Sequence, residues 1–457
     1  MQLYSPHVCT TSRSHVLVSL LARVSSPGIP FAWSDVTVSV GASSKGSEVT
    51  LLDNVSGYAK PGEMLAIMGP SGSGKSTLLD TLSGRKTVGN IRGTIKFGGF
   101  KPTQAFVRRY LGYVVQGDDT LLSLLTVEEM LRYTAELKLE RSVSAEEKQE
   151  AVDGVIEVLG LSTCRHVQIG DRVVRGVSGG QAKRVSIGIA LISNPRVLFL
   201  DEPTSGLDSF TANEVVSVVK SLATRGITVC ATIHSPTPYA FGLFDSLLLL
   251  GSGRTMYFGP AQGAVAFVRK ASSGFISEWD VHAASDSEFL SDVMMSAYRL
   301  GHENELVEEY EASGVREHAM DELERQLAST QDAGDDFKEM MLVRKATTTP
   351  SWWALLILFR YRTLKAMSGM QFYAQHVFPW LIQTVGIDCG PLLYARLQER
   401  NPPSHTFARS PGHHRIDLLV HRFGRQAVRR HEYHGDHILL GVHDGTYQLH
   451  PDLMLAR

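Results

Sequence analysis

Apolar residues occur in short runs along the first half of the chain, and turn-forming residues separate the runs. Between Phe31 and Val40 the apolar side chains include Trp33, Val36 and Val38, as expected of a strand with one buried face. Gly, Asp or Pro bounds each later run, which predicts further strands. These strands are Val49–Leu52, Met64–Met68, Val197–Leu200, Ile227–Ile233 and Leu247–Leu250.

The apolar period changes to that of a helix between Thr126 and Gly160. Two capping boxes, Thr126 with Glu129 and Ser144 with Glu147, mark two helix starts in this region. Gly160 supplies the stop signal of the second helix. Strands that alternate with helices, with a helical block inserted among them, predict an α/β domain built on a mostly parallel sheet.

Composition divides the remainder of the chain. Acidic residues accumulate between Ala271 and Lys345, which predicts a solvated helical linker. An aromatic and basic helix at Ser351 to Ser368 fits either a membrane interface or an ordinary packed helix. The predicted segments are a flexible lead over 1–30, the α/β domain over 31–270 with its helical block at about 117–190, the acidic linker over 271–345, a segment over 346–388 with the aromatic helix and an apolar stretch, and a His/Arg-rich tail over 389–457.

Charge and cysteine content exclude some functions. The 45 Lys and Arg against 47 Asp and Glu leave no basic footprint for a nucleic-acid partner. The four cysteines form no CxxC pair, so we expect reduced thiols in a cytosolic protein. A membrane span needs about 20 apolar residues, and the nearest stretch, Phe372–Ile387, is interrupted by polar residues and stops at Asp388. His431, His434 and His437 have no accompanying Cys and only weakly support a metal site.

The segment from Gly69 to Ser76 matches the pattern G-x-x-x-x-G-K-[ST] between a predicted strand and a predicted helix. The glycines let backbone N–H groups turn toward phosphates, and the helix N-terminus favours their negative charge. Lys75 can reach the β- and γ-phosphates, and the Ser76 hydroxyl can ligate Mg²⁺. The motif therefore predicts a nucleotide site. Its candidate residues are Gly69, Pro70, Ser71, Gly72, Ser73, Gly74, Lys75, Ser76 and Thr77.

Two carboxylates follow the apolar run that begins at Val197. Asp201 ends that predicted strand, and Glu202 comes directly after it. An acid at the end of a strand beside a P-loop is suited to hold Mg²⁺, and the next acid can polarise an attacking water as general base. A buried structural pair is the alternative, but burying adjacent carboxylates without a cation is costly. We therefore predict Asp201 as a metal ligand and Glu202 as the catalytic base.

A second helix start lies ahead of the Asp201 strand. The segment SGGQ at 178–181 opens a predicted helix over 181–191, so it offers another N-terminus for an anion. In this order and spacing the segment resembles the signature of the ATP-binding-cassette (ABC) family. The resemblance implies that ATP is the nucleotide and that the signature faces the γ-phosphate bound by a partner subunit in a dimer. The residues concerned are Ser178, Gly179, Gly180 and Gln181.

Three further positions resemble functional residues of this family. Gln116 is similar to the Q-loop glutamine, which implies contact with Mg²⁺ and water. Asp208 lies in a segment that resembles the D-loop, and His234 resembles the switch histidine that contacts the γ-phosphate. The family's adenine-stacking ring aligns at about Val38, where no aromatic residue stands, although Phe31 and Trp33 are nearby.

Local sequence narrows the resemblance further. The segments 125–135, 183–188, 202–209 and 253–260 are similar to those of White/pigment-type (ABCG) half-transporters, which place the ATPase before the membrane domain. By this resemblance the helix from Trp352 to Ser368 is their connecting helix, and Phe372 to Val385 begins the first membrane span. The similarity covers about residues 31–385, and further expected spans are missing beyond Asp388.

The resemblance implies a P-loop (RecA-like) ABC ATPase core, with an antiparallel β region and an inserted α-helical subdomain. It also implies an ATPase that powers export of a lipophilic substrate. In this function the chain would act with a second half-transporter subunit, in a homodimer or a heterodimer. Such a subunit lies at the cytosolic face of a membrane, although this chain alone could be soluble. Two alternatives stay open, namely a soluble ABC ATPase module and a truncated chain that dimerises and regulates without transport.

Overall fold

The computed structural model describes residues 28–41, 48–117, 120–171, 174–274, 285–328, 340–341 and 349–364, and two short strands near the C-terminus. The chain divides into two compact units, Met1–Phe378 and Pro379–Arg457. In the second unit, Val442–His443 pairs with Thr446–Tyr447 in antiparallel fashion. Most of the predicted flexible lead, the apolar stretch after Phe372 and the tail histidines lie outside the described residues.

The first unit begins with β1 to β3, after which helices and strands alternate as far as β8, except where three α-helices follow β5. The strands are β1 Phe31–Gly41, β2 Glu48–Ala59, β3 Met64–Met68, β4 Asn90–Phe97, β5 Leu111–Val114, β6 Val197–Asp201, β7 Thr228–Thr232, β8 Ser246–Gly251 and β9 Arg254–Pro260. The helices are α1 Lys75–Leu82, α2 Gln104–Tyr110, α3 Val127–Lys138, α4 Ala145–Val158, α5 Gly179–Leu191, α6 Ser209–Thr224, α7 Pro238–Phe241, α8 Ala261–Ser272, α9 Asp286–Leu300, α10 Glu303–Glu311, α11 Gly314–Ala328 and α12 Ser351–Leu358.

The main sheet has six strands in the order β5-β6-β7-β3-β8-β9. The first five run parallel, and β9 is antiparallel to β8. Every residue of β3, β6 and β7 is buried, because a parallel strand is covered on both faces and so reads as a continuous apolar run. The carboxyl ends of β3, β5, β6 and β7 therefore meet at one edge. The predicted parallel sheet is confirmed.

A three-stranded antiparallel sheet with the order β2-β1-β4 forms the predicted N-terminal β region. Its aromatic side chains pack against the main sheet. The ring of Phe31 stacks on those of Trp33 and Phe97 with centroids 5.4 and 5.5 Å away, and meets Phe199 of β6 edge-on at 5.4 Å. Phe31, Trp33 and the aligned Val38 are all buried. Because these rings fill the core, neither Phe31 nor Trp33 can stack on adenine.

The inserted helical block begins where its capping boxes predict. The hydroxyls of Thr126 and Ser144 accept from the backbone N–H of Glu129 and Glu147, whose carboxylates accept from the capping residues in return. Both boxes are confirmed. One charged cluster joins α3 to α4 and to the segment that follows: Glu128 accepts from Arg165, with two contacts of 2.8 and 2.9 Å.

The acidic segment folds back onto the domain. Its helices α9 to α11 bury apolar side chains such as Leu290, Val293 and Leu306, while acids such as Glu308 and Glu309 face solvent. The predicted solvated acidic surface therefore covers only one side of these helices. The opposite side belongs to the core, so the described helices α9 to α11 are part of the folded domain.

The aromatic helix α12 contacts the helical block. The Tyr361 hydroxyl donates to Glu136 of α3 at 2.9 Å, and the Thr349 hydroxyl donates to the carbonyl oxygen of Leu137 at 2.9 Å. Trp352 and Leu355 are 56% and 66% exposed, so the outer side of this helix is apolar. Across the part of the chain that the structure describes, no helix has both the length and the apolar character that a membrane crossing requires.

Candidate nucleotide-binding site

Four loops leave the main sheet at its carboxyl edge, and each carries predicted site residues. Gly69 follows β3, Gln116 follows β5, Glu202 follows β6, and His234 follows β7. In open α/β sheets the crevice beyond the carboxyl ends of the strands is where ligands bind. Strand order alone thus brings together residues that are distant in sequence.

The P-loop joins β3 to α1, and its glycines are required by close contacts. A Cβ at Gly69 would lie 2.3 Å from the carbonyl oxygen of Leu250, a backbone atom that cannot move aside cheaply. Gly74 caps α1 with φ of 101°, a left-handed conformation that favours glycine. The loop therefore keeps its backbone N–H groups at the start of α1, as a phosphate-binding loop must.

Lys75 is buried at the first position of α1. Its ammonium folds back on the loop and donates to the carbonyl oxygens of Gly69 at 2.8 Å and Pro70 at 3.0 Å. Burial lowers the pKa of Lys75, and the nearby carboxylates of Glu202 and Asp201 oppose that shift. The side chain is thus a charged donor already directed into the P-loop.

Asp201 connects the P-loop to the sheet. Its Oδ1 accepts from the Ser76 hydroxyl at 3.1 Å and from the Thr232 hydroxyl at 2.7 Å. A hydroxyl oxygen and a carboxylate oxygen are the hard ligands that Mg²⁺ prefers, so this pair fits the ion that the sequence predicts. Thr232 was not among the predicted site residues. The signal for it is a polar residue at the end of a wholly buried strand.

Glu202 sits in strained backbone directly after β6. Its φ is 43°, which is uncommon for a residue with a side chain and costs of order 1–3 kcal/mol. Its backbone N–H donates to the Thr232 hydroxyl at 2.9 Å, and its Oε2 accepts from the Gln116 side-chain amide at 2.6 Å. The predicted base and the predicted Q-loop glutamine are therefore in direct contact.

Ser178, Asp208 and His234 form local hydrogen bonds and face solvent, whereas Gly180 of the predicted signature is buried. Ser178 caps α5, because its hydroxyl accepts from the Gln181 backbone N–H at 3.2 Å and its own N–H donates to the Gln181 side chain at 2.9 Å. The helix begins at Gly179, two residues before the predicted start. Asp208 caps α6, and bonds from Thr211 and the following backbone lower its pKa.

His234 is exposed after β7. Its Nδ1 lies 3.1 Å from the Ser235 hydroxyl. The structure thus divides the predicted residues into two groups. The first group is connected by hydrogen bonds between elements distant in the sequence, as for Ser76 with Asp201 and Gln116 with Glu202. In the second group, Ser178, Asp208 and His234 form hydrogen bonds with residues close to them in the sequence.

This arrangement of a P-loop, a strand-end aspartate and an adjoining glutamate defines a P-loop nucleotide-binding domain. Residues 52–205 match the family described as "ABC transporter". This part of the chain is therefore similar to the nucleotide-binding domain of ABC transporters.

Individual proteins similar to this chain carry names of the ABC transporter G family. The chain is 46% identical over 249 residues to "ABC transporter G family member 1" of Petunia hybrida, which covers 54% of this chain and 38% of the relative. It is 44% identical over 234 residues to "Broad substrate specificity ATP-binding cassette transporter ABCG2" of Rattus norvegicus, and this match covers 51% of this chain and 35% of the relative. It is 37% identical over 371 residues to "ABC transporter G family member 21" of Arabidopsis thaliana, and this match covers 77% of this chain and 54% of the relative.

The matches therefore span between 35% and 54% of the length of these relatives. Among solved structures, the chain is similar to a dimeric ATP-binding cassette in a post-hydrolysis state bound to ADP and Pi. That match has 25% identity and a TM-score of 0.43, and covers 50% of this chain and 98% of the other.

Proposed function

We propose that this chain is the ATP-hydrolysing part of an ABCG-type half-transporter, which powers export of a lipophilic compound across a membrane. The observation that carries the proposal is the contact of Glu202 with Gln116 beside the Ser76–Asp201 pair. These groups stand at one edge of the sheet, next to the P-loop. That combination suits phosphoryl transfer from ATP to water.

The P-loop binds the triphosphate. Its backbone N–H groups and the N-terminus of α1 attract the phosphate charge. The Lys75 ammonium exchanges its loop carbonyl partners for phosphate oxygens. Ser76, Asp201 and Gln116 would supply oxygen ligands for Mg²⁺, and a bound ion would neutralise phosphate charge.

Glu202 orients the attacking water and accepts its proton. The water oxygen forms a bond to the γ-phosphorus while the bond to the bridging oxygen of ADP breaks, which releases ADP and phosphate. The Gln116 amide donates to Oε2 of Glu202 at 2.6 Å and so orients that carboxylate, whose other lone pairs can accept from the water.

The exposed caps complete the site of a second subunit. Ser178 and Gly179 are exposed at the start of the thirteen-residue helix α5, and Asp208 and His234 are exposed as well. A helix N-terminus of this kind attracts the γ-phosphate of ATP held by a partner. Two half-transporters, identical or different, would close around two ATP molecules, and hydrolysis would open them.

In this proposal the membrane domain follows α12 in the sequence. The aromatic helix lies against the helical block and exposes Trp352 and Leu355, which suits the cytosolic surface of a bilayer. Closure of the two ATPase domains would move this helix and so drive transport.

Phosphate release by the full chain tests the proposal. We expect turnover of ATP in the wild type and a loss of at least about a hundredfold in Glu202→Gln, with ATP affinity retained. Glu150→Gln, at an exposed position of α4, is the matched control and should leave turnover unchanged. Wild-type turnover no greater than that of Glu202→Gln would overturn the proposal.

A further inference from the structure

Lys183 is a buried cation whose placement the proposed chemistry does not yet explain. It lies on α5, one turn beyond the exposed signature start, and only 2% of its surface is exposed. Burying an ammonium is costly unless strong hydrogen bonds compensate for its lost hydration. Its position among the buried residues of α5, where an apolar side chain would cost nothing, therefore calls for a specific role.

The ammonium of Lys183 reaches the loop after β5. Its Nζ donates to the backbone carbonyl oxygen of Gln116 at 2.5 Å. A charged donor makes a shorter and stronger hydrogen bond than a neutral one. This bond spans 67 residues of sequence and ties the signature helix to the main chain of the Q-loop.

The same glutamine continues the connection into the catalytic centre. Its side-chain amide donates to Glu202 at 2.6 Å. The path from α5 to the catalytic carboxylate is thus two hydrogen bonds long, through the backbone and then the side chain of one residue. A shift of either end changes the position of Gln116.

We propose that Lys183 is a positioning residue for ATP hydrolysis, which fixes Gln116 and through it the Glu202 carboxylate relative to the signature helix. The inference rests on the proposed function and adds to it a link between α5 and the Glu202 carboxylate. Lys183 contacts neither the nucleotide nor the water. Its effect is on turnover, because misplacing a catalytic group by about 1 Å can cost a hundredfold in rate, while the P-loop that binds ATP is left intact.

Substitution in the full chain tests this role. K183M keeps the length and the apolar stem and removes the charge. We expect kcat to fall by roughly tenfold or more, with KM and ATP affinity within about twofold of wild type, and K183R to restore most of kcat. K148M, on the helical block at α4, is the control and should change neither constant.

A double-variant cycle separates positioning from general packing. Because Lys183 acts through Gln116, K183M should lower kcat little further in a Q116A background. Additive losses, an unchanged kcat in K183M, or a rise in KM that accounts for the loss would each overturn the proposal. If K183M does not fold, K183Q retains a neutral donor and is expected to give an intermediate kcat.

Hydrogen–deuterium exchange provides a readout that does not depend on turnover. K183M should increase exchange at residues 111–117 and leave exchange at β8 and β9 unchanged. Unaltered exchange at 111–117 would refute the role of Lys183 even if the protein had no ATPase activity. Absence of wild-type turnover, in contrast, would refute the proposed function.

Discussion

Thr232→Val tests whether one buried hydroxyl positions Asp201 and Glu202 at the carboxyl edge of the main sheet. The Thr232 side chain is fully buried. It accepts from the Glu202 backbone N–H at 2.9 Å and donates to Asp201 at 2.7 Å. Valine has nearly the same shape, so the substitution leaves an unsatisfied N–H at Glu202 and removes one of the two hydroxyl donors to Asp201 while packing is preserved.

The expected cost follows from those two contacts. An unsatisfied buried donor costs about 1–3 kcal/mol, and a hydrogen bond to a charged group contributes about 1.5–3 kcal/mol. We expect T232V to lower the free energy of unfolding by about 2–4 kcal/mol, since the two effects share one side chain. We also expect kcat to fall by about tenfold or more, because the φ of 43° at Glu202 loses its support.

Thr228→Val is the matched control in the same strand. Thr228 is equally buried, and its hydroxyl donates only to the neutral carbonyl oxygen of Ile29 at 2.8 Å. Its loss should cost about 1 kcal/mol and leave kcat unchanged. Urea unfolding and steady-state phosphate release measure both quantities. Equal stability and equal turnover in the two variants would show that the bridge to Glu202 and Asp201 does not organise the site.

Three further changes have distinct expected results. Lys75→Ala should weaken ATP binding by about tenfold to a hundredfold, as loss of a charged hydrogen bond of about 1.5–3 kcal/mol implies; fluorescent-nucleotide titration measures it, and unchanged affinity would contradict the assigned role. Gly69→Ala should lower the melting temperature and abolish ATP binding because its Cβ would lie 2.3 Å from a backbone oxygen of β8, whereas Gly41→Ala meets nothing within 4 Å and should do neither. The bond from Arg165 lowers the pKa of Glu128 from 4.5 to about 2, so its stabilisation is complete above about pH 4.5 and is lost as the pH falls toward 2; unfolding followed against pH should show this loss in the wild type and not in Glu128→Gln.

Sequence patterns predict those parts of the structure whose contacts lie within a few residues along the chain. The P-loop lies between β3 and α1 as expected, because both the motif and its flanking elements are contiguous. The capping boxes at Thr126 and Ser144 are satisfied within four residues of sequence. Ser178 caps its helix in the same way, although the helix starts two residues earlier than its predicted start.

Local patterns do not predict contacts between elements that are distant in the sequence. The bond of Thr232 to Asp201 joins residues 31 apart, and that of Lys183 to Gln116 joins residues 67 apart. Nothing in the composition of either segment specifies the partner, because strand order decides which loops meet. The strand β4 was missed for a different reason: most of its residues are exposed, so it lacks the apolar alternation that predicts a strand.

Two charged groups of the site form hydrogen bonds within the chain. Lys75 donates to P-loop carbonyl oxygens, and Glu202 accepts from Gln116. A triphosphate competes with the loop carbonyl oxygens for the Lys75 ammonium, and a water on Glu202 shares that carboxylate with the Gln116 amide. Since the backbone of Gln116 is also bonded to Lys183, a change at Glu202 reaches the loop that contacts α5. We therefore expect ATP to alter hydrogen exchange at residues 111–117 and in α5 together. A change confined to the P-loop would mean that the two steps are independent.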